Sequence, residues 1–192
     1  EELMAELPDI ELKLSQDAQF IVEEDPAAHN FDEVVLCYPG FYAIAIYRIA
    51  HVLYQMDVPL LPRLLTAFAQ EKTSIDIHPG AQIASPFFID HATGIVIGET
   101  SIVGKNVKLF QGVTLGALSV HSGLSKTKRH PTIEDDCVLY ANATILGGET
   151  VIGANSIVGG NVWVTKSIPA GSQVYNKNEF RFKGPKSGNA HD

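Results

Sequence analysis

Two hydrophobic periods divide the chain. Through about residue 73, Leu3, Leu7, Leu12, Leu14 and Phe20 alternate with Glu6, Glu11, Lys13, Asp17 and Glu23 at roughly helical spacing. Such a stripe predicts an amphipathic helix that buries one face. Asp25-Pro26 ends it, because a residue before proline is pushed out of the helical region. A second helix is expected after Pro39, carrying Phe41, Ala45, Tyr47, Ile49, Val52 and Leu53, and a third from about Leu60, with Pro62 in its first turn.

From residue 77 the apolar period becomes six. Ile77, Ile83, Ile89 and Ile95 are six apart; a two-residue shift leads to Ile97, Val103, Leu109 and Leu115. After a gap come Ile133, Leu139 and Ile145, then, after a one-residue shift, Ile152, Val158 and Val164. Three positions past many of these anchors stands Gly80, Gly98, Asn106, Gly112, Asp136, Asn142, Gly148, Asn155 or Asn161. Those residue types tolerate positive φ and suit a corner. The next position is often small or branched: Ala81, Ser101, Val107, Val113, Cys137, Ala143, Ser156, Val162. One arrangement accounts for all three features. Each hexad is a short strand and a corner, the anchor and the small residue point inward, and three hexads close one triangular turn whose stacked copies share a core. The expected fold is therefore α+β, an N-terminal helical segment followed by a parallel β-helix of hexapeptide repeats. Its boundaries are read as a helical domain at 1–74, the β-helix at 75–168 and a C-terminal tail at 169–192.

Residues 117–132 depart from the repeat. They hold no recurring aliphatic anchor and carry Lys126, Lys128 and Arg129 in a chain of net charge −8. A basic loop protruding from a rigid coil is a place to look for function. The overall acidity argues against nucleic-acid binding. At 45% hydrophobic residues the chain can bury a core. The most apolar stretch, 34–56, contains Pro39, Gly40, Arg48 and His51, and so reads as a buried helix and not a membrane span. Cys37 and Cys137 are far apart, without CxxC spacing, which suggests a reducing, cytoplasmic setting.

Polar groups with chemical potential gather at four places: Glu24-Asp25-Pro26-Ala27, Asp76-Ile77-His78-Pro79, Asp90-His91-Ala92-Thr93-Gly94 and Lys128-Arg129-His130-Pro131. Asp76 and His91 are fifteen residues apart, close to one turn of three hexads, so they are expected on neighbouring turns near one corner. An Asp that holds one imidazole nitrogen leaves the other as a base able to activate a hydroxyl. No GxSxG elbow is present and Cys137 falls on an inward position, so direct attack without a covalent enzyme intermediate is favoured. Arg129 and His130 offer a cationic pair for a carboxylate. Asp25 and Asp90 offer anions for an ammonium. An acceptor with all three groups is an amino acid such as serine.

At these strings the chain resembles the serine acetyltransferases of cysteine biosynthesis. The resemblance extends over about residues 20–170 and includes residues 42–54, Asp76-Ile77-His78-Pro79-Gly80-Ala81, Val113-Thr114-Leu115-Gly116, Arg129-His130-Pro131 and, most specifically, Asp90-His91-Ala92-Thr93-Gly94-Ile95-Val96-Ile97-Gly98-Glu99-Thr100. It implies a left-handed β-helix that moves acetyl from acetyl-CoA to the hydroxyl of L-serine, with no metal. His91 is then similar to the general base and Asp76 to its orienting partner. Asp25 and Asp90 resemble the ammonium ligands, and Arg129 and His130 the carboxylate ligands. Gly116, Ala117, Ala141, Gly159 and Gly160 match positions beside the CoA arm. The resemblance also implies a homotrimer or dimer of trimers with the site between subunits, and inhibition by L-cysteine. The loop before Arg129 is about four residues longer than in well-known bacterial members. Where many members end on Ile, this chain ends on Asp192, so a tight complex with cysteine synthase through the tail is not expected.

Three other readings are weighed. One is a hexapeptide O-acyltransferase for a different hydroxyl acceptor. Another is a zinc carbonic anhydrase on the same solenoid, which would need three of His78, His91, His121 and His130 on one metal. The third is a scaffold that only binds cysteine synthase.

Overall fold

The structure is a computed structural model that describes residues 2–118 and 127–177. Four helices come first: α1 (Glu2–Glu24), α2 (Phe31–Cys37), α3 (Pro39–Gln55) and α4 (Leu61–Thr73). Three were expected. The short α2 is held by Asn30, whose side chain accepts from the Glu33 N–H at 2.9 Å. Among the described residues no single helix is long and apolar enough to cross a membrane; α2 and α3 meet that limit only as a pair bent by 75°.

The strands that follow wind through five turns. Sheet I stacks β1 (Asp76–Ile77), β4 (Val96–Ile97), β7 (Thr114–Gly116), β10 (Thr144–Leu146) and β13 (Trp163–Val164). Sheet II stacks β2 (Gln82–Ile83), β5 (Ile102–Val103), β8 (Thr132–Ile133) and β11 (Val151–Ile152). Sheet III stacks β3 (Phe87–Ile89), β6 (Val107–Leu109), β9 (Val138–Leu139), β12 (Ile157–Val158) and β14 (Gln173–Val174). All pairings are parallel and anchor meets anchor, for instance Ile77 with Ile97 with Leu115 with Ile145 with Val164. The anchors and all eight small inward positions are buried, so the hexad pattern is the core itself. After a four-residue step past Val164 the repeat resumes: Ile168 bridges to Ile152, and Val174 follows six later in β14, beyond the boundary expected at residue 168.

The corners split into two chemical kinds. Asn106, Asp136, Asn155, Gly112, Asn142 and Asn161 all have positive φ, as expected. Gly80, Gly98 and Gly148 do not, and for them the reason is close approach. A Cβ on Gly98 would lie 2.0 Å from the His130 ring, and one on Gly148 would lie 2.2 Å from the Lys128 carbonyl. Both sit on the edge between sheets I and II, from which the long loop also emerges.

An end turn of a solenoid exposes backbone groups that have no turn beneath them. Here α3 covers them. Tyr47 donates its hydroxyl to the Ala81 carbonyl at 2.6 Å and accepts the Ile83 N–H at 3.2 Å. Arg48 donates to the Ile83 and Ala84 carbonyls, and His51 Nδ1 meets the Pro79 carbonyl at 2.7 Å. Arg48 also forms a buried ion pair with Asp17 of α1, 2.6 Å, and Asp17 accepts from Ser85 Oγ and the Phe87 N–H. Helices α1 and α3 are thus tied to the first turn by polar bonds as well as by the packing of Ile21, Val34, Phe41 and Phe88.

Candidate active site

The edge from sheet III to sheet I carries the first cluster. Turns normally take six residues from anchor to anchor here, as from Leu109 to Leu115 or Leu139 to Ile145; from Ile89 to Ile97 there are eight. The two extra residues make a bulged corner in which His91 and Ala92 both adopt positive φ, 56° and 72°. Positive φ recurs at the Asn and Asp corners of this solenoid, but here it falls on two successive residues, one of them an alanine, for which it is uncommon. The bulge pushes the His91 side chain outward, to 66% exposure. Asp90 accepts the His91 N–H at 2.7 Å, and its Oδ1 lies 3.7 Å from His91 Nδ1. The loop after α1 places Asp25 in the same hollow of about 300 Å³, which His91, Asp90, Tyr38, Cys37 and Gly40 also line. Asp25 accepts from the Ala27 N–H and from the Tyr38 hydroxyl, both at 2.8 Å.

Asp76 lies one turn away on the flank of this edge. The Gly94 N–H donates to the Ser74 carbonyl at 2.8 Å, so the bulged corner rests on the residues leading into Asp76. Neighbouring turns at one corner were expected, and they are found. The Asp76–His91 hydrogen bond is not formed: among the described residues the acid beside the imidazole is Asp90. Register gives the reason, because Asp76 stands opposite Val96, five residues past His91.

The second cluster occupies the edge from sheet I to sheet II. Glu99 accepts from Tyr54 of α3 at 3.0 Å and is ion-paired with Arg129. Burial would raise the Glu99 pKa, but the hydrogen bonds from Arg129 and Tyr54 outweigh it and hold the carboxyl below its usual range. Thr100 Oγ1 accepts the N–H groups of Arg129 and His130, at 2.9 and 3.1 Å. His130 is only 8% exposed, and its Nδ1 accepts the Thr100 N–H at 3.1 Å. Burial, with Arg129 and Lys128 alongside, pushes its pKa down to about 4. The expected second cation is thus a neutral imidazole, with its proton on Nε2. Only Arg129 supplies charge to this pair. Glu99 and Thr100 had no role assigned from the sequence and Gly98 only that of a corner, and Tyr54 and His78 join them here. The sequence signal of Gly98, Glu99, Thr100 and His78 is that they flank the repeat's corners; Tyr54, in α3, carries no such signal.

The remaining positions divide between the same two edges. Gly116 and Ala117 lie at the end of β7 on the I–II edge; Ala141, Gly159 and Gly160 lie after β9 and β12 on the III–I edge. His78 shares an edge with His130 but not with His91, and His121 lies outside the described residues. Among the described residues no three His, Cys, Asp or Glu side chains converge as a metal-ligand set.

No protein-family model matches the sequence. It is 50% identical over 173 residues to a serine acetyltransferase of Synechococcus elongatus, covering 88% of this chain and 54% of that one. It is 42% identical over 161 residues to a serine acetyltransferase of Helicobacter pylori, covering 84% of this chain and 91% of that one. The chain belongs to the serine acetyltransferase family. Solved members superpose on it. Entamoeba histolytica serine acetyltransferase isoform 3 in complex with cysteine gives a TM-score of 0.89 at 36% identity, covering 96% of this chain and 64% of that one. A Neisseria gonorrhoeae serine acetyltransferase in complex with serine gives 0.84 at 34%, covering 91% and 70%. A serine acetyltransferase complex with CoA gives 0.81 at 34%, covering 90% and 71%. The solenoid is the left-handed β-helix of that family. The chain spans little more than half the length of several serine acetyltransferases that it matches. Of the tail at 169–192, residues 178–192, with the terminus expected to contact no synthase, lie outside the described residues.

Proposed function

We propose that the chain is a serine O-acetyltransferase in which two copies build each active site. The observation that carries this reading is the exposed His91 on its bulged corner, in one hollow with Asp25 and Asp90. Asp25 and Asp90 receive the ammonium of L-serine. His91 takes the proton of the serine hydroxyl as its oxygen attacks the thioester of acetyl-CoA. The collapse releases CoA as thiolate and leaves the acetyl group on oxygen. Asp76 is kept as the carboxylate that orients the imidazole, supported by its place on the adjoining turn. Arg129, with His130 as a neutral Nε2–H donor, receives the serine carboxylate.

These two groups of residues stand on different edges of the prism, and their hollows share no lining residue. Six residues of extended chain separate two edges by up to about 20 Å. Ammonium and carboxylate hang on the same carbon of serine, so one chain cannot hold both. A III–I edge set against the I–II edge of a second copy brings them together, and threefold repetition closes the ring. The outward face of sheet I, which lies between the edges, supports this packing: beyond Asp76 it presents Val96, Thr114, Thr144 and Trp163, with Trp163 68% exposed. The CoA arm would run in the same seam, past the small residues Gly116 and Ala117 of one chain and Ala141, Gly159 and Gly160 of the other. L-cysteine, with sulfur in place of the hydroxyl oxygen, fits the same acceptor groups and competes there. The setting proposed is cytoplasmic, in keeping with two unpaired cysteines.

The test is CoA release with L-serine and with other hydroxyl acceptors. L-serine is expected to be preferred, and His91→Ala to lower turnover about 10²–10⁴-fold with acetyl-CoA binding kept. Equal use of a sugar hydroxyl, or a fully active His91→Ala, overturns the reading.

A further inference from the structure

The acceptor hollow contains a phenol that acetyl transfer itself does not call for. Tyr38 stands at the junction of α2 and α3 and serves both helices. Its N–H donates to the Val34 carbonyl at 3.2 Å, and its own carbonyl accepts the Tyr42 N–H at 3.0 Å. Pro39 follows at the first helical position, where its fixed φ is already helical. Gly40 then presses against β3 so closely that a Cβ would lie 2.3 Å from the Ile89 carbonyl oxygen. The junction is thus pinned beside the residue that precedes Asp90, and the phenol has little freedom to leave the hollow.

Asp25 is held differently. It lies in a loop, between the end of α1 and α2. One carboxylate oxygen accepts the Ala27 N–H, two residues away, and the other accepts the Tyr38 hydroxyl. The first bond is local and moves with the loop. The second reaches across thirteen residues to a fixed helix junction. Burial, together with the Asp25 carboxylate, pushes the phenol up to about 12, so it remains a donor over the working range of pH.

We propose that Tyr38 is a positioning residue: by donating to Asp25 it holds that carboxylate in the orientation that receives the acceptor's ammonium, and so sets the preference for an α-amino acceptor. This rests on reading the hollow as the acceptor site. Hydrogen bonds to a charged group are among the stronger ones, and loss of this one is felt only when the acceptor carries an ammonium.

Tyr38→Phe keeps the ring and removes the donor. The expected result is a rise of about tenfold in KM for L-serine, with a smaller change in kcat. The selectivity for L-serine over 3-hydroxypropanoate, which lacks the amino group, falls by a similar factor. Asp25→Asn is made in parallel and in combination. If Tyr38 acts through Asp25, adding Tyr38→Phe to Asp25→Asn changes KM less than about twofold. An equal effect on both acceptors, or full additivity with Asp25→Asn, overturns the role of Tyr38 while leaving the acceptor hollow standing. An unchanged serine KM in Asp25→Asn overturns the hollow as the ammonium site, and the role of Tyr38 with it.

Discussion

His130 sits beneath Arg129 and Lys128, and the Thr100 N–H occupies one of its nitrogens. Protonating the ring would cost that bond and add a further cation beside Arg129 and Lys128. The folded pKa of about 4 lies below the ordinary 6.5, so between these values the unfolded chain binds the proton and the folded one does not. Stability is therefore expected to fall as pH drops from about 6.5 toward 4, and His130→Asn to flatten that slope in urea titrations across the range. An unaltered slope would mean that other groups carry it. The sequence made Arg129 and His130 visible as a pair through their place in the one basic excursion. It did not reveal their charge states, which depend on residues thirty positions away. Gly98 was legible as a corner glycine for the wrong reason: its φ is ordinary, and the missing Cβ makes room for the His130 ring.

Helix α3 acts on the solenoid as a lid on its open end, through Tyr47, Arg48 and His51. Arg48→Met would leave the Asp17 carboxyl buried without its cation, at a cost of about 3–5 kcal/mol. Replacing both, Asp17→Leu with Arg48→Met, should cost less than the sum of the single changes, because no lone charge is then buried. Urea unfolding of the three variants measures this, and strict additivity would count against the ion pair as a unit. At this scale most of the molecule was readable. The hexads named the core anchors one by one, since in a solenoid inward positions recur at a fixed interval whatever the outward residues are. Helix α2 escaped, because seven residues hold no two full turns of periodicity and its start rests on a single Asn30 cap. The repeat's final strand escaped because four residues, not six, separate Val164 from Ile168.

For the molecule as a whole, the arrangement of edges matters more than any one residue. The sequence placed Asp76 and His91 correctly on adjoining turns, but spacing alone could not show that Asp25, Asp90 and His91 occupy one edge and Arg129 and His130 another. That follows from the triangular cross-section together with the loop's exit after β7. Each site is expected to take His91 from one chain and Arg129 from the next. Two inactive variants, His91→Ala and Arg129→Ala, then repair each other when mixed in one oligomer. Coexpression of the two in equal amounts tests this directly, with turnover of acetyl-CoA and L-serine as the readout. Random assembly into trimers should restore about a quarter of the native activity per site, because one in four seams joins an intact His91 edge to an intact Arg129 edge. Mixed trimers no more active than either variant alone, under conditions where the native chain turns over, would contradict the account.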